Sequence, residues 1–320
     1  MPAPQVTLLG SYVQDHCWRT DRFPVVGETR VGQFYTGPGG KGFNQAIACH
    51  RQGVSTRFIG AVGADALAAT ARRFAEAEGL SCHWHEVSDR PTATSSIVVD
   101  ASGQNLIVVD LAANLALPAS AAEHIEAGTC VVLTQLETHL DAVHAALKRA
   151  RSLGALAMLN PAPMHPELSP ETLALVDLLT PNETEFALLL AQLGVPDDVS
   201  RPWELSDADL HALCRCTGVP TVVVTLGERG CFVSHGRDHR GDASSHYRLA
   251  PESVRPVDTA GAGDAFSGAL AAALAFAAPG AAFGDAVVHA NRVAAMSTEQ
   301  PGTAPAMPTR AAVEARFIQA

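Results

Sequence analysis

The sequence predicts an α/β fold with a mainly parallel sheet, and three observations carry that prediction. Short apolar runs alternate with helical stretches closed by glycine along most of the chain, the pattern of βα units. Thr221 to Thr225 is a near-continuous β-branched run, the composition of a strand buried on both faces. Asp258-Thr259-Ala260-Gly261-Ala262-Gly263-Asp264 leads straight into the apolar run Ala265 to Ala278, so small residues open a helix.

In chain order, Val6 to Leu9 followed by Gly10 reads as a buried strand, with Asp15 in the loop beyond it. In open parallel sheets ligands collect beyond the carboxyl ends of strands, which places Asp15 where it can touch one; a solvated loop aspartate is the other reading. Arg30 to Tyr35 alternates weakly like a strand. Gly37 to Gly42 then satisfies a dinucleotide-type glycine spacing, but it follows no buried strand directly, and no Ser or Thr follows Lys41 as a phosphate-binding loop requires. Those glycines allow close backbone approach to a small polar ligand, and Asn44 adds both a donor and an acceptor, which suits a polyol.

Helices are expected over Ala46 to Gln52 and Ala66 to Glu78, with a strand at Phe58 to Val62 between them. Thr94 to Asp100 and Leu106 to Asp110 read as a hairpin that interrupts the series. Nearby, alternation sends His83 and His85 to one strand face and Cys82 to the other, which argues against a shared metal. The βα series resumes with a strand at Cys130 to Leu133, a helix at Leu140 to Leu153 and strands at Ala155 to Leu159 and Val176 to Leu179. Asn182 and Glu185 have capping-box spacing, yet their strand-end position also lets Glu185 face a metal-bound phosphate. Cys231 to Ser234 begins a second hairpin whose histidine-rich loop, His235 to His246, reads as solvated surface, and Ala281 to Thr298 supplies another helix.

Composition narrows the function classes. The 320 residues, 47% apolar, fill one large α/β domain or two ordinary ones, and no repeat or linker divides the chain. A formal net charge of -11 argues against nucleic acid or an anionic membrane as a partner. The seven cysteines are scattered without metal or redox spacing, which fits reduced thiols in a cytoplasm. Neither a leader peptide nor a membrane span is read, since Ala265 to Ala278 is short and alanine-rich.

Asp264 carries the chemistry. Bare amides at a helix start attract an anion, and a carboxylate beside a bound phosphate is repelled by it unless the acid acts on the other reactant. Taking a proton from an attacking hydroxyl is such an act; capping the helix is the alternative.

Gly39-Gly40-Lys41-Gly42-x-Asn44-Gln45, Gln135-Leu136-Glu137, Asn160-Pro161-Ala162-Pro163, Thr180 to Glu185, Thr225-Leu226-Gly227 and Asp258 to Asp264 occur in the order and spacing of the ribokinase or PfkB-type carbohydrate kinases, which the chain resembles over nearly its whole length. The resemblance implies a three-layer α/β sandwich with a central, mainly parallel sheet, helices on both faces and a small β lid inserted at about 12–37 and 92–110. It implies ATP-dependent phosphorylation of a sugar primary hydroxyl with Mg²⁺. Asp264 would be the base, with the amides of Gly261, Ala262 and Gly263 stabilising the transferred phosphoryl group. Asp15, Gly40, Lys41, Gly42, Asn44 and Glu137 would hold the sugar. Asn182, Thr225, Leu226, Gly227, Glu228, Arg229, Gly230, Gly263 and Asn291 would line the nucleotide, and Glu185 would organise Mg²⁺. A monovalent cation such as K⁺ would sit at Asp258, Ala260, Ser297, Gln300, Gly302 and Ala306. Lids pairing between two copies would make a homodimer.

One departure bears on the substrate. Val13 stands where the resemblance leads us to expect asparagine, so a side-chain partner for one sugar hydroxyl is absent, and Phe43 adds bulk inside the glycine loop. Ribose is the first expectation; 2-deoxyribose, a ketose or sugar acid, or a nucleoside is the alternative. A nicotinamide-dependent oxidoreductase would leave Asp258 to Asp264 unexplained, and a non-catalytic sugar sensor would more naturally lack Asp264 or carry a DNA-binding helix pair.

Overall fold

A computed structural model describes residues 5–195, 199 and 201–317. Its large sheet has nine strands, β1 (Gln5–Leu9), β4 (Ser55–Gly63), β5 (Ser81–Val87), β8 (Thr129–Thr134), β9 (Leu156–Leu159), β10 (Leu178–Leu179), β11 (Thr221–Thr225), β12 (Cys231–His235) and β13 (His246–Leu249). They lie in the order β13-β12-β11-β10-β9-β8-β1-β4-β5, parallel except where β12 pairs with its two neighbours. A second sheet has four strands, β2 (Val13–Arg19), β3 (Gln33–Gly39), β6 (Thr94–Val99) and β7 (Asn105–Asp110), in the order β3-β2-β6-β7.

Strand periodicity splits the core into two layers. Val6, Leu8, Val131, Leu133 and Val223 face a cluster with α1 (Lys41–Arg51), α2 (Ala66–Glu78), α7 (Ala262–Phe276) and α8 (Phe283–Ser297). Leu9, Val132, Val222 and Val224 face the opposite cluster with α3 (Leu140–Leu153), α5 (Glu183–Gln192) and α6 (Asp207–Cys216). Two short helices, α4 (Pro170–Leu173) and α9 (Arg310–Phe317), complete the chain. The result is the three-layer sandwich with a small added sheet. Among the described residues no helix is long and apolar enough to cross a membrane.

Several boundaries differ from the sequence reading. Asp15 lies within β2, not in a loop, because residues 13 to 19 pair with β3 on one side and β6 on the other. The strand expected at Arg30 to Tyr35 runs instead from Gln33 through Gly39; Pro38 is tolerated there because β3 is an edge strand. The helix expected from Ala46 begins at Lys41, so the glycine-rich stretch is half strand end and half first helical turn. Phe43 points into the core. It is fully buried among Tyr12, Phe58, Phe74 and Trp84, at ring-centroid distances of 5.2 to 6.0 Å. His235, expected in solvent, is also fully buried, with Nε2 3.0 Å from Asp242 Oδ2. Asp242 further accepts from the Tyr247 hydroxyl and the Gly284 amide, and these bonds tie the 236–246 loop to the start of α8. His83 stacks on His124, ring centroids 3.5 Å apart.

Candidate active site

The carboxyl ends of β1, β8, β9, β10 and β11 converge on the N-terminus of α7. Gly261 is the cap of that helix at φ 76°, and Asp264 stands in its first turn, buried. The Asp264 carboxylate is held from α1: Asn44 Nδ2 donates to Oδ2 and Gln45 Nε2 to Oδ1, each at 2.9 Å. Lys41, Asn44 and Gln45 share one face of α1 through their i, i+3 and i+4 spacing. Asn44 Oδ1 is buried without a hydrogen-bond partner, an acceptor that awaits a donor from outside the protein's own chain.

A second carboxylate anchors the same helix start. Glu137 Oε2 accepts from Ser11 Oγ at 2.6 Å and from the Lys41 amide at 2.9 Å. Gly42 donates its amide to Ser11 Oγ. The turn between β3 and α1 needs glycine at position 40: its φ is 88°, and a Cβ there would lie 2.6 Å from the Val13 nitrogen. Asp15 enters from the small sheet, with Oδ1 accepting from Ser95 Oγ at 2.6 Å and Oδ2 from Thr303 Oγ1 at 3.4 Å.

Electrostatics couple these groups. Burial pushes the Asp15 carboxyl up to about 6, aided by Glu137 and Asp264 and opposed by the Ser95 hydroxyl. Burial likewise raises Glu137, against the pull of Lys41 and of its hydrogen bonds. Glu185 is pushed up to about 6 by burial, opposed by the Asn182 amide and Lys41. For the Lys41 amine, burial alone works against the charge, but Asp264, Glu137 and Glu185 outweigh it and the amine is raised. One ammonium thus stands among three carboxylates.

Two connected cavities and a third beneath the small sheet surround this centre. The first, about 130 Å³, is lined by Lys41, Asn182, Glu185, Gly261, Ala262, Gly263 and Asp264 among others. It shares Asn182, Thr225, Thr259, Ala262 and Gly263 with a larger cavity of about 340 Å³, which adds Gly227, Glu228, Gly230 and Asn291. The third, about 320 Å³, has Asp15, Asp258, Ala260 and Gly302 in its wall.

Two residues expected at the nucleotide lie elsewhere. Leu226 is buried in the core, and Arg229 turns outward over the Trp203 ring at 4.8 Å, because the short turn 227–230 presents only Gly227, Glu228 and Gly230 to the cavity. Asn182 and Glu185 do form the capping box, with Asn182 Oδ1 accepting from the Glu185 amide and Glu185 Oε2 from the Asn182 amide, both at 2.8 Å, and they also line the small cavity. Asn291 Nδ2 donates to the Ala250 carbonyl. Around Asp258, Oδ1 accepts from the Ala260 amide and Oδ2 from the Gly302 amide, so the 257–261 and 297–306 loops meet there. Ser297 Oγ turns back to the Ala294 carbonyl, Gln300 is exposed, and Ala306 donates its amide to Thr303. The sequence reading assigned no role to Ser11, Ser95 and Thr303, lone hydroxyls in unremarkable stretches that only tertiary contact brings to these carboxylates. Gln45 had a signal, one position past Asn44 on the same helix face.

The profile of the pfkB family carbohydrate kinases matches residues 3–310. The chain is 35% identical to a ribokinase of Haemophilus influenzae over 310 residues, covering 95% of each chain. Among solved structures it resembles ribokinase from Giardia lamblia with a TM-score of 0.87 and 26% identity, covering 99% of both chains. It also resembles Arabidopsis thaliana ribokinase complexed with ribose and ATP, with a TM-score of 0.77 and 26% identity over 97% of both chains. With the glycine-rich turn, the α7 helix start and the two-sheet architecture in one chain, the protein belongs to the PfkB family of carbohydrate kinases.

Proposed function

We propose that this phosphotransferase is a ribokinase-type enzyme that moves the terminal phosphoryl group of ATP to the primary hydroxyl of ribose. The observation that carries the proposal is the placement of Asp264, held by Asn44 and Gln45, in one small cavity with the α7 helix start and Lys41. Asp15, Lys41, Asn44 and Glu137 hold the sugar, with Gly40 and Gly42 shaping the turn beneath it. Asp264 takes the hydroxyl proton as the sugar oxygen bonds to the γ-phosphorus; the bond from that phosphorus to the bridging oxygen breaks, and ADP leaves with the electron pair. The Gly261, Ala262 and Gly263 amides stabilise the charge on the phosphoryl oxygens. Asn182, Thr225, Gly227, Glu228, Gly230 and Asn291 line the adenosine side. A screen of sugars and nucleosides with coupled ADP detection tests this reading, and absence of turnover with any pentose defeats it.

Glu185 fits Mg²⁺ because it is a buried carboxylate facing the same cavity, and one such group together with substrate phosphates is the usual magnesium set. When bound, the ion would neutralise phosphate charge. Asp258, with the backbone around Ala260, Ser297, Gln300, Gly302 and Ala306, suits a monovalent cation such as K⁺, because two loops already converge on that carboxylate. Its charge would support the neighbouring helix start. All seven cysteines are free thiols, which suits a cytoplasmic setting.

Val13 favours a second substrate. It is buried in an apolar patch with Ala93 and Ala112, beside the Gly40 turn, where it offers a sugar hydroxyl no partner. A sugar lacking one hydroxyl, 2-deoxyribose above all, loses less there than ribose does. We expect Val13→Asn to raise the ribose over 2-deoxyribose ratio of kcat/KM by about tenfold, the scale of one gained hydrogen bond. An unchanged ratio would mean that position 13 does not read the sugar.

The small sheet is a lid in this reading, and its pairing with a second copy covers its apolar surface. Every residue of edge strand β7 is exposed, including Leu106, Ile107, Val108 and Val109, with Trp18 and Phe34 also exposed on the same sheet. Sedimentation should show a dimer that Val108→Asp converts to monomer; a monomeric wild-type chain at micromolar concentration counts against lid pairing.

A further inference from the structure

Asp264 ends a buried chain of side-chain amides, Gln45, Asn160 and Gln135, none of which is assigned to a substrate. Gln45, fully buried, spends both Nε2 protons within the site, one on Asp264 Oδ1 and one on Asn160 Oδ1, each at 2.9 Å. Its Oε1 accepts from Gln135 Nε2. Asn160 in turn donates Nδ2 to the Thr180 main-chain carbonyl at 2.6 Å. That last bond settles every orientation in the chain. A carbonyl can only accept, so Asn160 must turn its amide nitrogen to Thr180 and its oxygen to Gln45. Gln45 must then present its nitrogen to both Asn160 and Asp264, and a flipped amide would set oxygen against oxygen at two places. Orientation fixed at a strand-end backbone group is thereby handed through two side chains to the proposed base.

We propose that Gln45 is a positioning residue for phosphoryl transfer: its Nε2, fixed on one side by Asn160, locks the Asp264 carboxylate in one rotation. This rests on Asp264 acting as the base. The division of labour with Asn44 is plain from the geometry. Asn44 binds the other carboxylate oxygen and keeps a free acceptor, Oδ1, which suits contact with substrate, whereas every polar atom of Gln45 is already engaged inside the protein. Asn44 is placed to read the ligand. Gln45 reads only the base.

The charged groups around Asp264 make a fixed donor valuable. Lys41 and Glu185 line the same small cavity as Asp264, Glu137 bonds to the α1 start beside them, and Asp15 enters from β2. A neutral donor pointed at Oδ1 orients the carboxylate without adding charge to the cavity.

The test uses the full-length enzyme with Gln45→Met, which keeps length and volume but donates nothing. Removing the donor lets the carboxylate rotate, and loss of alignment of this kind costs about 10²-fold in rate. We therefore expect kcat to fall by about 10²-fold while the sugar KM stays within about threefold. The acid limb of kcat against pH should move to higher pH, because a carboxylate that loses a donor protonates more readily. A purely structural role would lower thermal stability and leave that limb in place. Gln45→Glu, of nearly equal volume, sets a second carboxyl against Asp264, and should move the limb further toward alkaline pH; it decides the matter if the methionine variant does not fold. An unmoved limb in whichever variant folds, or a sugar KM that rises as much as kcat falls, overturns the proposal. Asp264→Asn separates the two levels: if it leaves turnover intact, the base assignment itself has failed, whereas its inactivity alongside an unaffected Gln45→Met defeats only the role of Gln45.

Discussion

Asp264→Asn is expected to lower kcat by at least about 10²- to 10⁴-fold, the range that general-base removal covers, while sugar affinity measured by calorimetry without nucleotide changes little. The substitution keeps the side-chain shape: Gln45 keeps an acceptor in the amide oxygen, and Asn44 can turn its unpartnered Oδ1 to the new amide nitrogen. What goes is the atom that can carry a proton away. The nearest alternative, that Asp264 only caps α7, predicts something else: a modest loss of stability with turnover nearly intact. Single-turnover measurements at saturating ATP distinguish the two, because they read the chemical step directly.

Phe43→Ala produces the largest expected change in stability. Phe43 is fully buried where α1 packs on the sheet, at 5.2 Å from the Tyr12 ring and 5.3 Å from that of Phe58, and truncating a phenylalanine in such surroundings costs about 3–5 kcal/mol. Chemical denaturation should show that loss as a lower midpoint at an unchanged slope. Sugar preference should not change. The ring lies on the core side of α1, away from Lys41 and Asn44, so a variant assayed well below its melting temperature should keep the wild-type ratio between pentoses. A shift in that ratio would return Phe43 to the ligand side.

The difference between these two residues shows what the sequence carries. Asp264 was legible because small residues before an apolar run have a local meaning: they open a helix, and an acid at that spot stands out. Phe43 was misread because a side chain's direction depends on where its helix begins, and the helix starts at Lys41 only through the Gly40 turn and the Ser11 and Glu137 contacts. Strands buried on both faces, such as β1 and β11, were visible as apolar runs. The small sheet was visible in its β6–β7 hairpin and, weakly and shifted toward the N-terminus, in β3. β2 carries Gln14, Asp15, His16 and Arg19 and does not look like a strand until the partners that complete its ladder are present, and the Gly-Pro-Gly end of β3 hid where that strand stops. His235 was hidden for a similar reason, since the burial of a histidine beside Asp242 and Tyr247 depends on a loop folding back. Leu226 and Arg229 belong to a motif whose backbone shapes the cavity while those two side chains leave it.

The joint between the two sheets has a mechanical consequence. β3 ends at Gly39 and α1 starts at Lys41, so a single residue separates the small sheet from the helix that carries Lys41, Asn44 and Gln45. Such a hinge has no slack. Any tilt of the four strands must be transmitted as torque to the first turn of α1, and lengthening the connection by even two flexible residues would let the flap swing while the residues proposed to grip the sugar stayed deaf to it.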